Sequence, residues 1–359
     1  MSASLPALIS PAQLYPARGG RPAYQLLDVR APVEVAAGAL PEAVTEPILN
    51  DSERYEVGIR YKEAGQEAAI TLGFDLTDAQ LPGRVAAWQQ VVAAGPTAVA
   101  CWRGGLRSRL TAEFIGDSAV MRVEGGYKAI RKYLMDQLPL SLARYETIVV
   151  GGLTGSGKTA LLERLATSAT RLNVLDLEHQ ARHRGSSFGR LAEAQPAQAT
   201  FENSVALQLL LGDQPRLVLE DEARSIGHIE LPEALYGAIL RSPLVLVDEP
   251  LAARAARIHH DYVLSLSDTL GVPQTRAYLG ASLLRLKKRL SGAVVTAALQ
   301  ALEDAEASGA WRDAEAHAGW ITPLLERYYD PLYRKALGAA PRPVLFSGDL
   351  EACYAWLTR

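Results

Sequence analysis

The chain has 359 residues, 48% hydrophobic and 21% charged, with a formal net charge of −3. That balance excludes wholesale disorder, and the length suggests two domains. With 37 basic and 40 acidic residues, bulk charge cannot hold a nucleic acid, so any RNA partner needs a local patch. No apolar run approaches the roughly 18 residues of a membrane span. The opening segment, MSASLPALISPAQLYPARGG, lacks a basic start followed by an apolar core. No signal peptide is therefore expected, and the chain is expected in the cytoplasm without membrane contact. The two cysteines, Cys101 and Cys353, cannot build a disulfide framework or a cysteine-rich zinc site. No obligate protein partner is evident.

Tyr24–Val29 reads as a buried strand. Glu53 to Leu72 and Leu76 to Val92 read as helices, and Pro96–Cys101 as a short apolar strand. Leu106–Ile115 reads as a helix, Ala119–Val123 as a strand and Tyr127–Leu138 as a helix that Pro139 breaks. After a linker the pattern restarts, with strands at Thr147–Val150, Leu172–Leu177, Leu217–Leu219 and Leu244–Val247. Helices at Lys158–Leu165, Ala197–Leu211 and Pro232–Leu240 separate them, and from Leu251 to about Leu337 the chain reads as helical. Alternating strands and helices predict an α/β fold. Residues 1–138 should form a parallel-sheet domain, and 139–359 a second α/β domain with a helical carboxy-terminal region.

Residues 101–108 read Cys-Trp-Arg-Gly-Gly-Leu-Arg-Ser, between a predicted strand and a predicted helix. Gly104 and Gly105 let successive amides curl inward, and the helix start with Arg103, Arg107 and Ser108 completes an anion-binding loop. Such a setting activates a thiol as a nucleophile or chalcogen carrier, which marks Cys101 rather than Cys353 as functional.

The run Gly152-Leu-Thr-Gly-Ser-Gly-Lys-Thr159 follows a strand and opens a helix. Gly152, Gly155, Ser156, Gly157 and Lys158 suit a diphosphate, and Thr159 suits Mg²⁺. The metal-side acid should close a later strand; Asp221 is favoured over Asp248. Asp176 suits a substrate contact or a helix cap. Arg184, in HRGSSFG, and Arg224, after the acidic cluster, are candidate phosphate or RNA contacts. The run Arg285, Leu286, Lys287, Lys288, Arg289 is the strongest basic cluster and a candidate RNA contact.

LLDVRAPVEVAAGALPEA at Leu26–Ala43, the Cys101 loop and VEGGYKAI at Val123–Ile130 together resemble a rhodanese domain, with Asp28, Arg30 and Glu34 in their expected places. The loop also matches the phosphatase spacing of Cys, five residues, Arg, but Ala100 stands where a phosphatase usually has His. Across Leu26 to about Gly227, these segments with LNDSERYEVGIRYKEAGQEAAITLG, GGLTGSGKT, HRGSSFG and EDEARSIG resemble the tRNA 2-selenouridine synthase family. Trp102 departs from the Phe of many relatives but stays aromatic. The resemblance implies a rhodanese-like domain followed by a P-loop domain. It implies that 2-thiouridine at the wobble position of tRNA is geranylated from geranyl diphosphate, and that selenium from selenophosphate then replaces the geranylated sulfur. In that scheme Cys101 carries the selenium. The residues alone leave open an ATP-dependent tRNA sulfurtransferase, a cysteine phosphatase with a nucleotide-binding regulatory domain, or a non-catalytic sensor or scaffold.

Overall fold

A computed structural model describes residues 6–17, 22–168, 171–186, 188–189 and 193–359. It divides into two compact units: residues 1–143 with 196–213, and residues 144–195 with 214–359.

The first unit is built on five parallel strands: β1 (Leu8–Ile9), β2 (Gln25–Asp28), β3 (Val44–Thr45), β4 (Thr97–Ala100) and β5 (Met121–Val123), in the order β1-β5-β4-β2-β3. The central strand β4 is buried along its whole length, which explains its unbroken run of small and apolar residues. Leu27, Val29, Trp88, Val99 and Ala112 form the core beside it. β1 and β3, of two residues each, carry too little pattern to be read from sequence.

Two expectations fail here for backbone reasons. The helix over Asp51–Thr77 is interrupted at Gly65, whose φ of 79° no helix accommodates. Its two arms approach each other, so that a Cβ at Gly73 would lie 3.8 Å from the Val57 side chain. Helix Gly126–Leu142 instead runs through Pro139, and the Ala143 amide still donates to the Pro139 carbonyl at 3.1 Å. Proline there removes a donor without removing the acceptor that closes the last turn. The later helix Gln198–Leu211 packs against Gly126–Leu142 as part of this unit. Asn203, fully buried, donates to the Ala39 carbonyl at 2.8 Å, while Arg131 binds both Asn203 and Glu202. The division expected after Leu138 thus falls after Ala143, and residues 196–213 belong to the first unit.

The second unit holds another parallel five-stranded sheet: β6 (Glu146–Gly151), β7 (Leu172–Leu175) and β8 (Arg216–Glu220), followed after a small antiparallel hairpin, β9 (Ser225–Ile226) and β10 (Ile229–Glu230), by β11 (Leu244–Val247) and β12 (Val344–Gly348). The order is β12-β11-β6-β8-β7. β6 lies in the middle, where the connections reverse direction, and a ligand is expected beyond the carboxyl ends of the strands. The region from Leu251 to Ala339 is helical, with π-helical turns at His260–Leu264 and Leu325–Tyr329. β12 and the last helix, Leu350–Leu357, return to the sheet, and Cys353 is fully buried against it. Burial pushes its thiol up to about 11, which fits the structural role expected for it.

Under the Cys101 loop, Arg30 and Asp28 form a fully buried pair at 2.6 Å. Arg30 also donates to the Glu34 and Gly38 carbonyls and stacks 3.7 Å from the Tyr127 ring centre. Arg30→Ala leaves the buried Asp28 carboxylate without its counter-ion, holding only the residue-30 amide at 3.1 Å, and frees two carbonyls. The first unfolding transition in urea should lose about 3–5 kcal/mol.

Candidate functional site

The Cys101 loop springs from the end of β4 and is clamped from behind by the turn Val123–Gly126. The Tyr127 and Lys128 amides donate to the carbonyls of Cys101 and Trp102 at 2.9 and 3.1 Å. Gly126, at φ 58°, is required: a Cβ there would overlap the Cys101 carbonyl and the Gly104 amide. The amides of Trp102, Arg103, Gly104 and Gly105 donate to no described backbone carbonyl, so they remain available to an anion. Cys101 is 3% exposed, and its Sγ donates to Ser108 Oγ at 3.4 Å. Arg107 is held by Glu34 through contacts of 2.5 and 3.0 Å. Burial opposes charge on both, yet their pairing prevails: the Glu34 carboxyl is lowered and the Arg107 guanidinium raised, the latter also by the nearby Cys101 sulfur. Arg103 is exposed and makes no ion pair among the described residues. Trp102 stacks on Tyr127 with ring centres 5.2 Å apart.

In the second unit, the loop from Gly152 to Lys158 follows β6. Gly152, Gly155 and Gly157 all adopt positive φ. The amides of Gly155, Gly157, Lys158 and Thr159 donate to no described backbone carbonyl, and Lys158 Nζ donates to the Gly152 carbonyl at 3.0 Å. Ser156 is fully buried and its Oγ has no partner among the described residues. Arg254 and Arg257 grip the outside of the loop, donating to the Thr154 and Gly155 carbonyls at 3.2 and 2.7 Å. Arg254 is in turn fixed by Asp330 at 2.8 Å.

Strand alternation decides which acids face the phosphate loop. Asp221 points away from Thr159: Arg342 binds both its oxygens at 2.8 and 2.9 Å, and Tyr333 donates to it at 3.1 Å. The Tyr333 hydroxyl accepts the Gly152 amide at 2.8 Å, so Asp221 braces the start of the loop. This corrects Asp221 as the metal-side acid. Asp248 is exposed.

The acid on Thr159 is Glu178, whose Oε2 accepts from Thr159 Oγ1 at 3.1 Å. Glu178 and Glu222 converge on Gly185, where a Cβ would lie 2.7 and 2.8 Å from their oxygens. Glu220 stands behind them; it accepts the Glu178 amide at 2.7 Å, and its buried Oε2 has no partner among the described residues. Burial and mutual repulsion push Glu178 up to about 7 and Glu222 up to about 8, and drive Glu220 upward as well. Asp176 caps helix Leu177–Ala181 through the His179 amide at 2.8 Å, and burial raises its carboxyl too.

Arg184 reaches this cluster and lowers the Glu178 carboxyl, while donating to the Asp261 carbonyl at 2.9 Å. Ser187 of the same motif lies outside the described residues. Phe188, Tyr262, Trp320 and Tyr329 line a small apolar recess of about 30 Å³ that begins at Thr154. Arg224 instead pairs with Glu233 at 2.7 Å on the surface. Arg285 donates to Ser282 and Arg289 to Tyr328, while Lys287 and Lys288 are exposed. Glu222 stood beside Asp221 among the acids expected after the strand; Glu178, Tyr333 and the pair Arg254 and Arg257 on one helix were not singled out, because they reach the loop from elements distant in sequence.

The family described as tRNA 2-selenouridine synthase AAA domain matches residues 145–359. A tRNA 2-selenouridine synthase of Shewanella loihica is 40% identical over 350 residues, 93% of this chain and 92% of that one. Those of Marinobacter nauticus and Azotobacter vinelandii are also 40% identical, each covering 92% of this chain and 93% of the relative. A solved N-terminal domain of an ATP/GTP-binding protein from Clostridium difficile 630 shares 27% identity over 36% of this chain and 99% of its own, with a TM-score of 0.32. On the extent of the first matches, the chain belongs to the tRNA 2-selenouridine synthase family.

Proposed function

We propose that this chain replaces the sulfur of 2-thiouridine at the tRNA wobble position by selenium in two steps, one in each unit. The observation that carries this reading is the pairing, in one chain, of a cysteine inside an amide cradle with a phosphate loop faced by crowded carboxylates. The reading places the enzyme with tRNA in the cytoplasm.

In the first step the thiouridine sulfur attacks C1 of geranyl diphosphate. The C–S bond forms as the C–O bond breaks, and diphosphate leaves with the electron pair. The amides of Gly155, Gly157, Lys158 and Thr159 and the Lys158 ammonium receive the charge that develops on the leaving oxygens. Arg184, beside Glu178, is placed to add a second cation. Thr159, Glu178 and Glu222 fit Mg²⁺, because hard oxygen donors meet there and the Glu220 oxygen behind them lacks a partner among the described residues. When bound, Mg²⁺ supplies charge neutralisation for the diphosphate. The aromatic recess at Thr154 suits the start of an allylic chain, though it must widen to admit ten carbons.

In the second step the selenium of selenophosphate, whose phosphoryl group suits the amide cradle beside Cys101, attacks C2 of the S-geranylated base. The C2–Se bond forms, the C2–S bond breaks and geranylthiolate departs with the electron pair. Water then attacks phosphorus, the Se–P bond breaks, and phosphate and 2-selenouridine are released with no change of oxidation state. Alkylation matters because it turns a poor leaving group into a good one. The burial of Cys101 and its contact with Ser108 keep this site out of bulk solvent.

Mass spectrometry of tRNA nucleosides from cells carrying single variants tests both assignments. Lys158→Ala should abolish S-geranyl-2-thiouridine and 2-selenouridine together. Cys101→Ala should abolish only 2-selenouridine and let the geranylated base accumulate. Normal geranylation by Lys158→Ala rejects the role of the phosphate loop, and AMP release in vitro would mark adenylation instead.

The carboxylate cluster gives a pH test. Glu178 and Glu222, at about 7 and about 8, must lose their protons before they bind a cation. Mg²⁺ binding should therefore tighten between pH 6 and pH 8.5 on the roughly unit scale of those shifts. The rise in melting temperature on adding Mg²⁺ should grow over the same window, and Glu178→Gln should flatten it.

A further inference from the structure

The first unit contains an apolar groove of about 260 Å³ that none of the motifs accounts for. One wall is the helical hairpin bent at Gly65, which contributes Val57, Ala69, Ile70 and Phe74. The opposite wall is Leu106, Leu110 and Phe114 on the helix that starts directly after Gly105 of the Cys101 loop. Phe74 and Phe114 meet edge to face across it, with ring centres 6.4 Å apart. Arg107 is the one charged residue in its lining, and Glu34 holds that guanidinium. Phe74 and Tyr61 remain 41% and 57% exposed, so the chain leaves this apolar surface open.

We propose that the groove holds the geranyl chain of S-geranyl-2-thiouridine while selenium displaces the geranylated sulfur at the Cys101 loop; this rests on the two-step reading above. Three observations favour that occupant. The groove lies beside the cysteine site on one helix: Ser108 touches Cys101 Sγ, while Leu106, Arg107 and Leu110 of the same helix line the groove. Its size fits: a cavity of about 150 Å³ takes the six carbons of benzene, so by proportion 260 Å³ takes about ten. Its chemistry fits as well, with an apolar trough for hydrocarbon and a cation at the end nearest the departing thiolate. As the C2–Se bond forms and the C2–S bond breaks, the sulfur leaves with the electron pair, takes a proton from solvent and departs as geranylthiol. The groove therefore makes the first unit select for a long S-alkyl group rather than for any alkylated base.

The test uses the full chain with two filling variants, Leu110→Trp and Ala69→Trp, whose folding is checked by thermal melting. Anticodon stem-loops carrying S-geranyl-2-thiouridine or S-methyl-2-thiouridine are the substrates. For each folded variant, kcat/KM for selenation of the S-geranyl base should fall at least about tenfold, the scale of one misplaced methylene in an apolar pocket, with the S-methyl base changed less than about twofold. Geranylation from geranyl diphosphate should be unchanged. By calorimetry, the wild-type chain should bind one more geraniol per chain than either variant. The inference is overturned if both variants selenate the S-geranyl base as the wild type does. It is equally overturned if both variants bind as many geraniol molecules as the wild type, or if a wild-type dimer that both variants dissociate shows that a second copy fills the groove. Wild-type conversion of 2-thiouridine to 2-selenouridine with no S-geranyl intermediate would instead sink the two-step reading itself.

Discussion

Backbone amides left unpaired at the carboxyl end of a central parallel strand are the constraint on which both sites depend. A buried N–H without a partner is costly, so a chain exposes several together only where an anion will meet them. In the first unit the cradle follows β4, and in the second it follows β6. Each is kept open by glycines whose neighbours leave no room for a side chain, and each is braced from behind by contacts to its carbonyls. The Tyr127 and Lys128 amides provide that brace around Cys101; Arg254 and Arg257 provide it around the phosphate loop. The amides can face outward because these other groups satisfy the carbonyls.

Charge completes what the amides begin, and the two units do it in opposite ways. Around Cys101 the buried and half-buried ionic groups are already matched, Arg107 with Glu34 and Arg30 with Asp28, and Arg103 stays exposed at the rim. That pairing fixes geometry and leaves the cradle's own dipoles to face the ligand. Near Thr159 the carboxylates outnumber their cations, and three of them are raised by burial and mutual repulsion. An unbalanced cluster of this kind gains most from a divalent ion. Asp221 stays out of it because strand alternation turns its side chain to the opposite face, where Arg342 and Tyr333 neutralise it.

Both cradles were legible in the sequence because each is a short run of consecutive residues, and loop, helix start and cation follow one another without a gap. Strand Leu244–Val247 and helix Leu106–Ile115 could be read to the residue for the same reason. Features assembled from distant segments could not. Glu178 and Tyr333 reach the phosphate loop from separate helices, and nothing in their local sequence distinguishes them from surface polar residues. The choice of Asp221 failed because a run of three acids does not reveal which of them point inward. The groove was hidden for a related reason: the residues around Gly65 keep a helical pattern on both sides, so the bend that brings Val57 to Gly73 leaves no periodicity signal.

The return of Pro196–Asp213 to the first unit means that the polypeptide crosses between units three times. Neither unit is a contiguous stretch, and a single cut releases neither intact. A fragment ending at Ala143 would lack the helix whose Asn203 satisfies Ala39 and contacts Tyr127, beside the cysteine loop. The cysteine loop and the phosphate loop thus sit in units whose chain segments alternate along the sequence.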